Sequence, residues 1–189
     1  TPGINDVKGW EDWFNQRGIS PEHLVEDPIS RQFDDLINTL GTAGYERGKD
    51  FFVANYDWRL SPAPSDPLGP GQPADGRVDH RNVMSLPNGT YEYGVDYLVY
   101  WLKKAVHEWA LAHNGEQLAE VDLIAHSTGG LVARSYIQSD AYGSNYTFYD
   151  PDIKKSFNLP KVRNYISLGV PNRGAAKAWN FLEDDWDVD

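Results

Sequence analysis

The feature that most constrains this chain is the stretch 121–134, in which a short apolar run ends abruptly at a serine. Residues 121–125 have the length and composition of a buried strand of a parallel sheet. A polar triplet centred on Ser127 follows, and then two glycines open a segment with helical spacing. Ala125 and Gly129 are the small residues that a sharp turn with close backbone approach requires. The pattern predicts a strand, a tight turn with an exposed serine hydroxyl, and a helix.

A serine on such a turn is typical of the nucleophile elbow of α/β-hydrolases. That pattern usually has Gly where this chain has Ala125, a small departure. The turn would place the backbone N–H of Thr128 at a helix N-terminus, where it can stabilise a developing oxyanion. We therefore predict Ser127 as a catalytic nucleophile and Thr128 as an oxyanion donor. The alternative is a Ser-Thr-Gly-Gly turn that only caps the helix.

Composition bounds the class of protein. A chain of 189 residues with seven Trp, eleven Tyr and seven Phe fits one packed domain. The net charge of −11 disfavours nucleic acid and anionic membrane surfaces as partners. The sequence has no cysteine and no pair of histidines at metal-ligand spacing, so no metal and no cofactor are predicted. No run approaches the ~18 apolar residues of a membrane span. Two Asn-x-Thr sequons, at Asn88 and Asn145, favour a secreted protein only if the source glycosylates, so the compartment is not determined.

Strand and helix patterns alternate along the chain. Strands are predicted over 51–54, 121–125 and 162–168, and helices over 27–41, 91–113, 131–138 and 175–182. This alternation predicts an α/β fold: a doubly wound, mostly parallel sheet with helices on both faces, in a single domain spanning 1–189.

Two long polar segments lack periodicity. Residues 61–90 form a loop rich in Pro, Gly and Asp, interpreted either as a lid or binding loop or as a solvated excursion. Residues 141–160 are interpreted as an irregular connection. Because sites in parallel sheets lie beyond the carboxyl ends of the strands, residues 55–59, Ser127 with its neighbour, and residues 169–174 are expected to converge.

Three blocks of sequence carry a resemblance to a known family. Residues 55–62 (Asn-Tyr-Asp-Trp-Arg-Leu-Ser-Pro) resemble the Tyr-Asp-Trp-Arg segment of the lecithin:cholesterol acyltransferase and lysosomal phospholipase A2-like lipases. Residues 125–130 are similar to the elbow of that family, and residues 167–171 to its following strand and turn. The resemblance implies an α/β-hydrolase fold, truncated here at both ends. It also implies a serine esterase, lipase or O-acyltransferase that acts on lipid or other acyl esters through an acyl-serine intermediate.

The resemblance implies further site residues. The Pro-Gly-Ile start resembles the loop that supplies a second oxyanion donor, which would be the N–H of Ile4. Asp57, Arg59 and His126 are candidate substrate-binding residues. The alternative for Asp57 and Arg59 is a buried ion pair that supports the sheet edge beneath a packed Trp58.

The base that should activate the serine is missing from the pattern. The fold presents its triad in the order Ser, acid, His, yet all five histidines precede Ser127. His126 and His80 are minor candidates for the base, and the remaining three, His23, His107 and His113, are expected to be solvated. The acidic residues after Ser127 are likewise expected to lie on solvated surface.

The simplest interpretation is a piece of a larger hydrolase. Another chain or segment would then complete both the sheet and the triad. Two alternatives stay open: a non-catalytic, hydrolase-like module that binds lipid or acts as a scaffold, and an inactive fragment that needs the acid and the histidine from elsewhere.

Overall fold

The computed structural model describes residues 33–63, 91, 93–139 and 141–174, together with the single residues 6, 8, 21 and 24. The elements in chain order are α1 (Asp34–Thr42), α2 (Gly94–Ala112), β1 (Glu120–His126), α3 (Gly129–Ile137), a 3₁₀ turn (Gly143–Asn145), β2 (Thr147–Asp150), β3 (Lys155–Asn158) and β4 (Lys161–Leu168).

Strands β1 and β4 form a parallel pair, as predicted. Leu123 lies opposite Tyr165 and Ile124 opposite Ile166, with an irregularity in the register after Val121. Helix α3 lies in the connection between the two strands and packs on both of them. The described part of the chain is therefore an α/β arrangement with a small parallel sheet.

The long helix α2 organises the core. Its residues Val95, Val99, Leu102 and Val106 recur at helical spacing and are all buried. This apolar stripe packs against α3, where Tyr136 is fully buried and donates a hydrogen bond to the carbonyl of Pro160 at 2.5 Å. The predicted helix over 91–113 is confirmed.

The two faces of the β1–β4 sheet differ. Val121 and Leu123 pack toward the core with the helices. On the opposite face, the side chains of Ile124 and Ile166 are 42% and 48% exposed. The sequence predicted helices on both faces of the sheet. Within the described residues, helices cover one face and not the other.

Residues 141–160 form a β-hairpin, so the predicted irregular connection is wrong. Strands β2 and β3 pair antiparallel and bring Phe148 opposite Phe157, and both rings are buried. Each strand has four residues, which is too short for its alternation to stand out from the surrounding polar sequence.

The predicted strand over 51–54 is also wrong. Phe51 makes only an isolated bridge with Arg47, and the backbone from 52 to 57 is irregular. A short apolar run fits several kinds of buried segment, and periodicity alone does not distinguish them. Helix α1 is confirmed from Asp34 onward, while the predicted cap near 27, the loop from 64 to 90 and the helix over 175–182 lie outside the described residues.

None of the helices in the described ranges is long and apolar enough to span a membrane.

Candidate active site

Ser127 occupies the turn between β1 and α3, and its backbone is in the left-handed region. Strand β1 ends at His126, helix α3 begins at Gly129, and the φ of Ser127 is 51°. This conformation is uncommon for a residue with a side chain, and such residues cluster at functional sites. The N–H of Ser127 donates to the carbonyl of Leu168 at 3.0 Å, which ties the turn to the end of β4. The predicted strand, sharp turn and helix are confirmed.

The first backbone N–H groups of α3 are open at this turn. In the described part of the chain, the N–H groups of Thr128 and Gly129 have no hydrogen-bond partner. They lie at the positive end of the helix dipole and are suited to bind an oxygen that carries negative charge. The alternative of a turn that only caps the helix is not supported, because Thr128 makes no side-chain cap hydrogen bond.

Close packing around the turn falls on Gly130, one residue later than predicted. A Cβ on Gly130 would lie 2.2 Å from Cγ2 of Val170 and 2.8 Å from the hydroxyl of Tyr165. A Cβ on Gly129 would meet nothing within 4 Å. Ala125 is buried, as expected of a small residue beneath the turn.

The segment 55–62 reaches the turn through Tyr56. The hydroxyl of Tyr56 is hydrogen-bonded to the hydroxyl of Thr128. The segment 169–174 reaches α3 at two points: Val170 lies against Gly130, and Arg134 donates to Oδ1 of Asn172 at 2.9 Å. The three segments that were predicted to converge, 55–59, Ser127 with Thr128, and 169–174, do so in the structure.

Asp57 and Arg59 form a buried ion pair. Nε of Arg59 donates to Oδ1 of Asp57 at 2.7 Å and Nη2 donates to Oδ2 at 2.5 Å, with 7% and 3% of the two side chains exposed. The hydrogen bond to Asp57 raises the pKa of Arg59. This is the supporting pair that was considered as the alternative to substrate binding. The expected packing of Trp58 over the pair is wrong, because Trp58 is 67% exposed.

Comparisons with known proteins agree with this segment. The sequence profile of the family described as "Lecithin:cholesterol acyltransferase" matches residues 12–68, a range that contains the Tyr56 to Arg59 block. The chain is also 24% identical over 176 residues to a "Lysosomal phospholipase A and acyltransferase" of Bos taurus, covering 93% of this chain and 31% of that protein. The chain resembles the lecithin:cholesterol acyltransferase-like lipases. The resemblance predicted from the sequence is confirmed.

The extent of the match is limited. The chain spans about a third of the length of this curated relative, 31%. No solved structure matches the chain.

The histidines of this lipase-like chain do not meet Ser127 in the described part of the structure. His126 is exposed, and its ring contacts the ring of Phe33 edge-on, with 5.3 Å between centroids. His113 is exposed and stacks on Trp109. The two remaining histidines, His23 and His80, lie outside the described residues. The predicted second oxyanion donor, Ile4, lies outside them as well.

The prediction that His107 is solvated is wrong. Its Nδ1 lies 2.7 Å from Oδ2 of Asp150, whose side chain is 1% exposed. Burial alone would raise the pKa of Asp150, but hydrogen bonds from His107 and from the N–H groups of Ile153 and Asp152 outweigh it and lower the pKa. The pair joins α2 to the end of β2. The sequence signal that could have indicated it is Asp150-Pro-Asp, which is typical of a turn in which the carboxylate accepts backbone N–H groups.

His107, Asp150 and Asp152 are also the described residues that could hold a metal ion, since their ligand atoms lie within 4.8 Å of one another. However, Oδ1 of Asp150 accepts hydrogen bonds from two backbone N–H groups, at 3.0 and 3.1 Å. Its Oδ2 is hydrogen-bonded to Nδ1 of His107. These contacts account for the cluster as a structural junction.

Proposed function

We propose that this chain carries the nucleophile of a serine-dependent acyl-ester hydrolase or acyltransferase with an α/β-hydrolase fold, which acts on lipid esters. The observation that carries the proposal is the left-handed Ser127 between a parallel strand and a helix whose first N–H groups are open. A strand, a strained serine turn and a helix are the features expected of a nucleophile elbow, and they support the proposal. The printed description of the relative, a phospholipase A and acyltransferase, supports lipid esters as the substrate class.

In the proposed reaction, Oγ of Ser127 attacks the ester carbonyl and its proton passes to a base. The carbonyl oxygen becomes an oxyanion that accepts hydrogen bonds from the N–H of Thr128 and, we propose, from that of Ile4. Each such donor typically contributes about 10²–10³ in rate. Collapse of the tetrahedral intermediate releases the alcohol and leaves an acyl-serine, which water or a second alcohol then cleaves. We propose that the acid and the histidine come from another segment or another chain, which would also complete the sheet.

The turn at residues 57–59 is proposed to face the substrate. The buried Asp57–Arg59 pair fixes the turn in which Trp58 is held exposed. Through this turn the pair would orient the ester or headgroup. His126, exposed beside Ser127, is proposed as a second contact with substrate.

The test is covalent labelling with a fluorophosphonate probe, applied to the full reading frame that encodes this chain. We expect labelling that Ser127→Ala abolishes. The matched control is Ser167→Ala, which alters an exposed serine on the neighbouring strand and should label as the wild type does. Absence of labelling in the wild type would overturn the proposal.

A second candidate is a hydrolase-like module that binds lipid without turnover. The absence of a histidine at hydrogen-bond distance from Ser127 within the described ranges favours it. It predicts binding to phosphatidylcholine vesicles that Ser127→Ala leaves unchanged, together with no labelling and no release of fatty acid.

A further inference from the structure

The segment 55–62 is fixed to helix α2 at both of its ends. At its start, Nε1 of Trp101 donates to the carbonyl of Asn55 at 3.2 Å. At its end, the N–H of Gly94 donates to the carbonyl of Ser61 and the N–H of Val95 to that of Pro62, each at 2.9 Å. Because α2 is the central helix of the core, this segment is a rigid support and not a free loop.

The interior of the segment is fixed as well. The buried Asp57–Arg59 pair closes the turn, and Leu60 is buried against Tyr91 and Tyr97. The ring of Tyr56 packs so closely on Gly94 that a Cβ there would lie 3.2 Å from Cδ2 of Tyr56. The direction of the Tyr56 side chain is therefore set by the core.

The polar end of Tyr56 contacts the residue after Ser127. Its hydroxyl is bonded to that of Thr128, which makes no cap hydrogen bond to its own helix. The carbonyl of Thr128 also accepts a hydrogen bond from the N–H of Leu131 at 2.9 Å. A contact that fixes Thr128 therefore also fixes the first turn of α3. A polar contact between a core-anchored ring and a strained turn is a means of pre-organising that turn.

We infer that Tyr56 is a positioning residue that holds Thr128, and with it the first turn of α3, in the orientation that aims the Thr128 N–H at the reacting oxygen. The inference rests on the proposed function for its catalytic meaning. Its structural content, a first turn held by the hydroxyl of Tyr56, is independent of that function. Tyr56 acts through Thr128 and does not itself contact the reacting atoms in this scheme.

The first measurement is amide hydrogen exchange by NMR at Gly130 and Leu131, whose N–H groups bond to the carbonyls of Ser127 and Thr128. Tyr56→Phe keeps the ring and removes the hydroxyl, and Thr128→Val removes the partner. Each should lower protection at these two amides by about 3- to 10-fold, the range expected for one net hydrogen bond. The double variant should lower it no further, and Thr128→Ser should retain most of it. The control is Tyr149→Phe, because Tyr149 is 60% exposed on the hairpin.

The second measurement is the rate of fluorophosphonate labelling in the full reading frame. Tyr56→Phe should lower the maximal inactivation rate by about 3- to 10-fold and leave the half-saturating probe concentration unchanged. A general loss of stability would not lower the maximal rate while leaving the half-saturating probe concentration unchanged. If the wild type is not labelled, the proposed function fails while hydrogen exchange still decides the inference. Unchanged protection at Gly130 and Leu131 in Tyr56→Phe overturns the inference whatever the labelling shows.

Discussion

The side chain of Val170 occupies the space that a side chain on Gly130 would need. The two Cγ atoms of Val170 lie 2.2 and 2.6 Å from where a Cβ on Gly130 would be. The hydroxyl of Tyr165 donates to the carbonyl of Gly130 at 3.1 Å on the same side. The helix that follows the serine turn is thus pressed against the end of β4, and this contact limits where Ser127 can lie.

Gly130→Ala should therefore destabilise the fold by about 1–3 kcal/mol, the usual cost of forcing extra volume into a packed site. The measurement is the free energy of unfolding from urea titration. Gly129→Ala is the matched control, because a Cβ there meets nothing within 4 Å and alanine favours helix. It should be neutral or stabilising by up to about 1 kcal/mol. Equal effects of the two substitutions would contradict the packing described for Gly130.

The sequence predicted this region well because local signals agreed there. An apolar run of strand length, small residues on both sides of Ser127 and helical spacing after Gly130 all indicate one arrangement. The long helix was predictable for the same reason, since its apolar stripe extends over several turns. Short elements were not: the four-residue strands β2 and β3 give too few positions for a period, and the apolar run at 51–54 fitted a strand pattern that the structure does not adopt.

The sequence alone could not predict which residues far apart in the chain are in contact. Tyr56 and Thr128 are 72 residues apart, and His107 and Asp150 are 43 apart. The sequence indicated that residues 55–59 would lie near the serine, because strand ends meet at one edge of a parallel sheet. It could not indicate which side chain makes the contact, since that depends on how α2 fixes the segment.

The Asp57–Arg59 pair should contribute strongly to stability. Arg59→Met leaves the carboxylate of Asp57 buried without its cation, and breaking such a pair typically costs about 3–5 kcal/mol. The double variant Asp57→Asn with Arg59→Met should recover part of this loss, because no uncompensated charge is then buried. Arg163→Met is the control, since the Arg163–Asp122 pair is largely exposed and should be worth little. If urea unfolding gave similar losses for Arg59→Met and Arg163→Met, the buried pair would not have the role described.

The His107–Asp150 pair should make stability fall in acid. The pKa of Asp150 is lower in the folded protein than in the unfolded chain, where it is about 3.9. The ionised carboxylate therefore stabilises the fold above the unfolded pKa, and this contribution is lost as the pH falls from about 5 through the folded pKa. Urea unfolding from pH 6 to pH 2 should show a shallower decline for Asp150→Asn than for the wild type. Asp152→Asn, which keeps its N–H bond to Asp150, should follow the wild type; parallel profiles for all three proteins would refute the assignment.

The stability of the protein should rise with pH in mild alkali, because the buried Lys103 loses its proton there more readily than in the unfolded chain. Lys103 is 2% exposed in α2, beneath the rings of Tyr146 and Phe148, and burial lowers its pKa to about 8. Between pH 8 and about 10.4, its pKa in an unfolded chain, the unfolded state binds the proton that the folded state has released. Stability should then rise with pH across this window, by up to roughly 3 kcal/mol.

The rise can be assigned to Lys103 by substitution. The Nζ of Lys103 donates to the hydroxyl of Tyr146 at 3.3 Å, and burial raises the pKa of Tyr146. Lys103→Met should remove the rise in the free energy of unfolding, measured by urea titration at pH 7.5, 9 and 10. Lys104→Met changes the neighbouring, half-buried lysine of the same helix and should keep the rise. A rise of equal size in both variants would show that a group other than Lys103 is responsible for it.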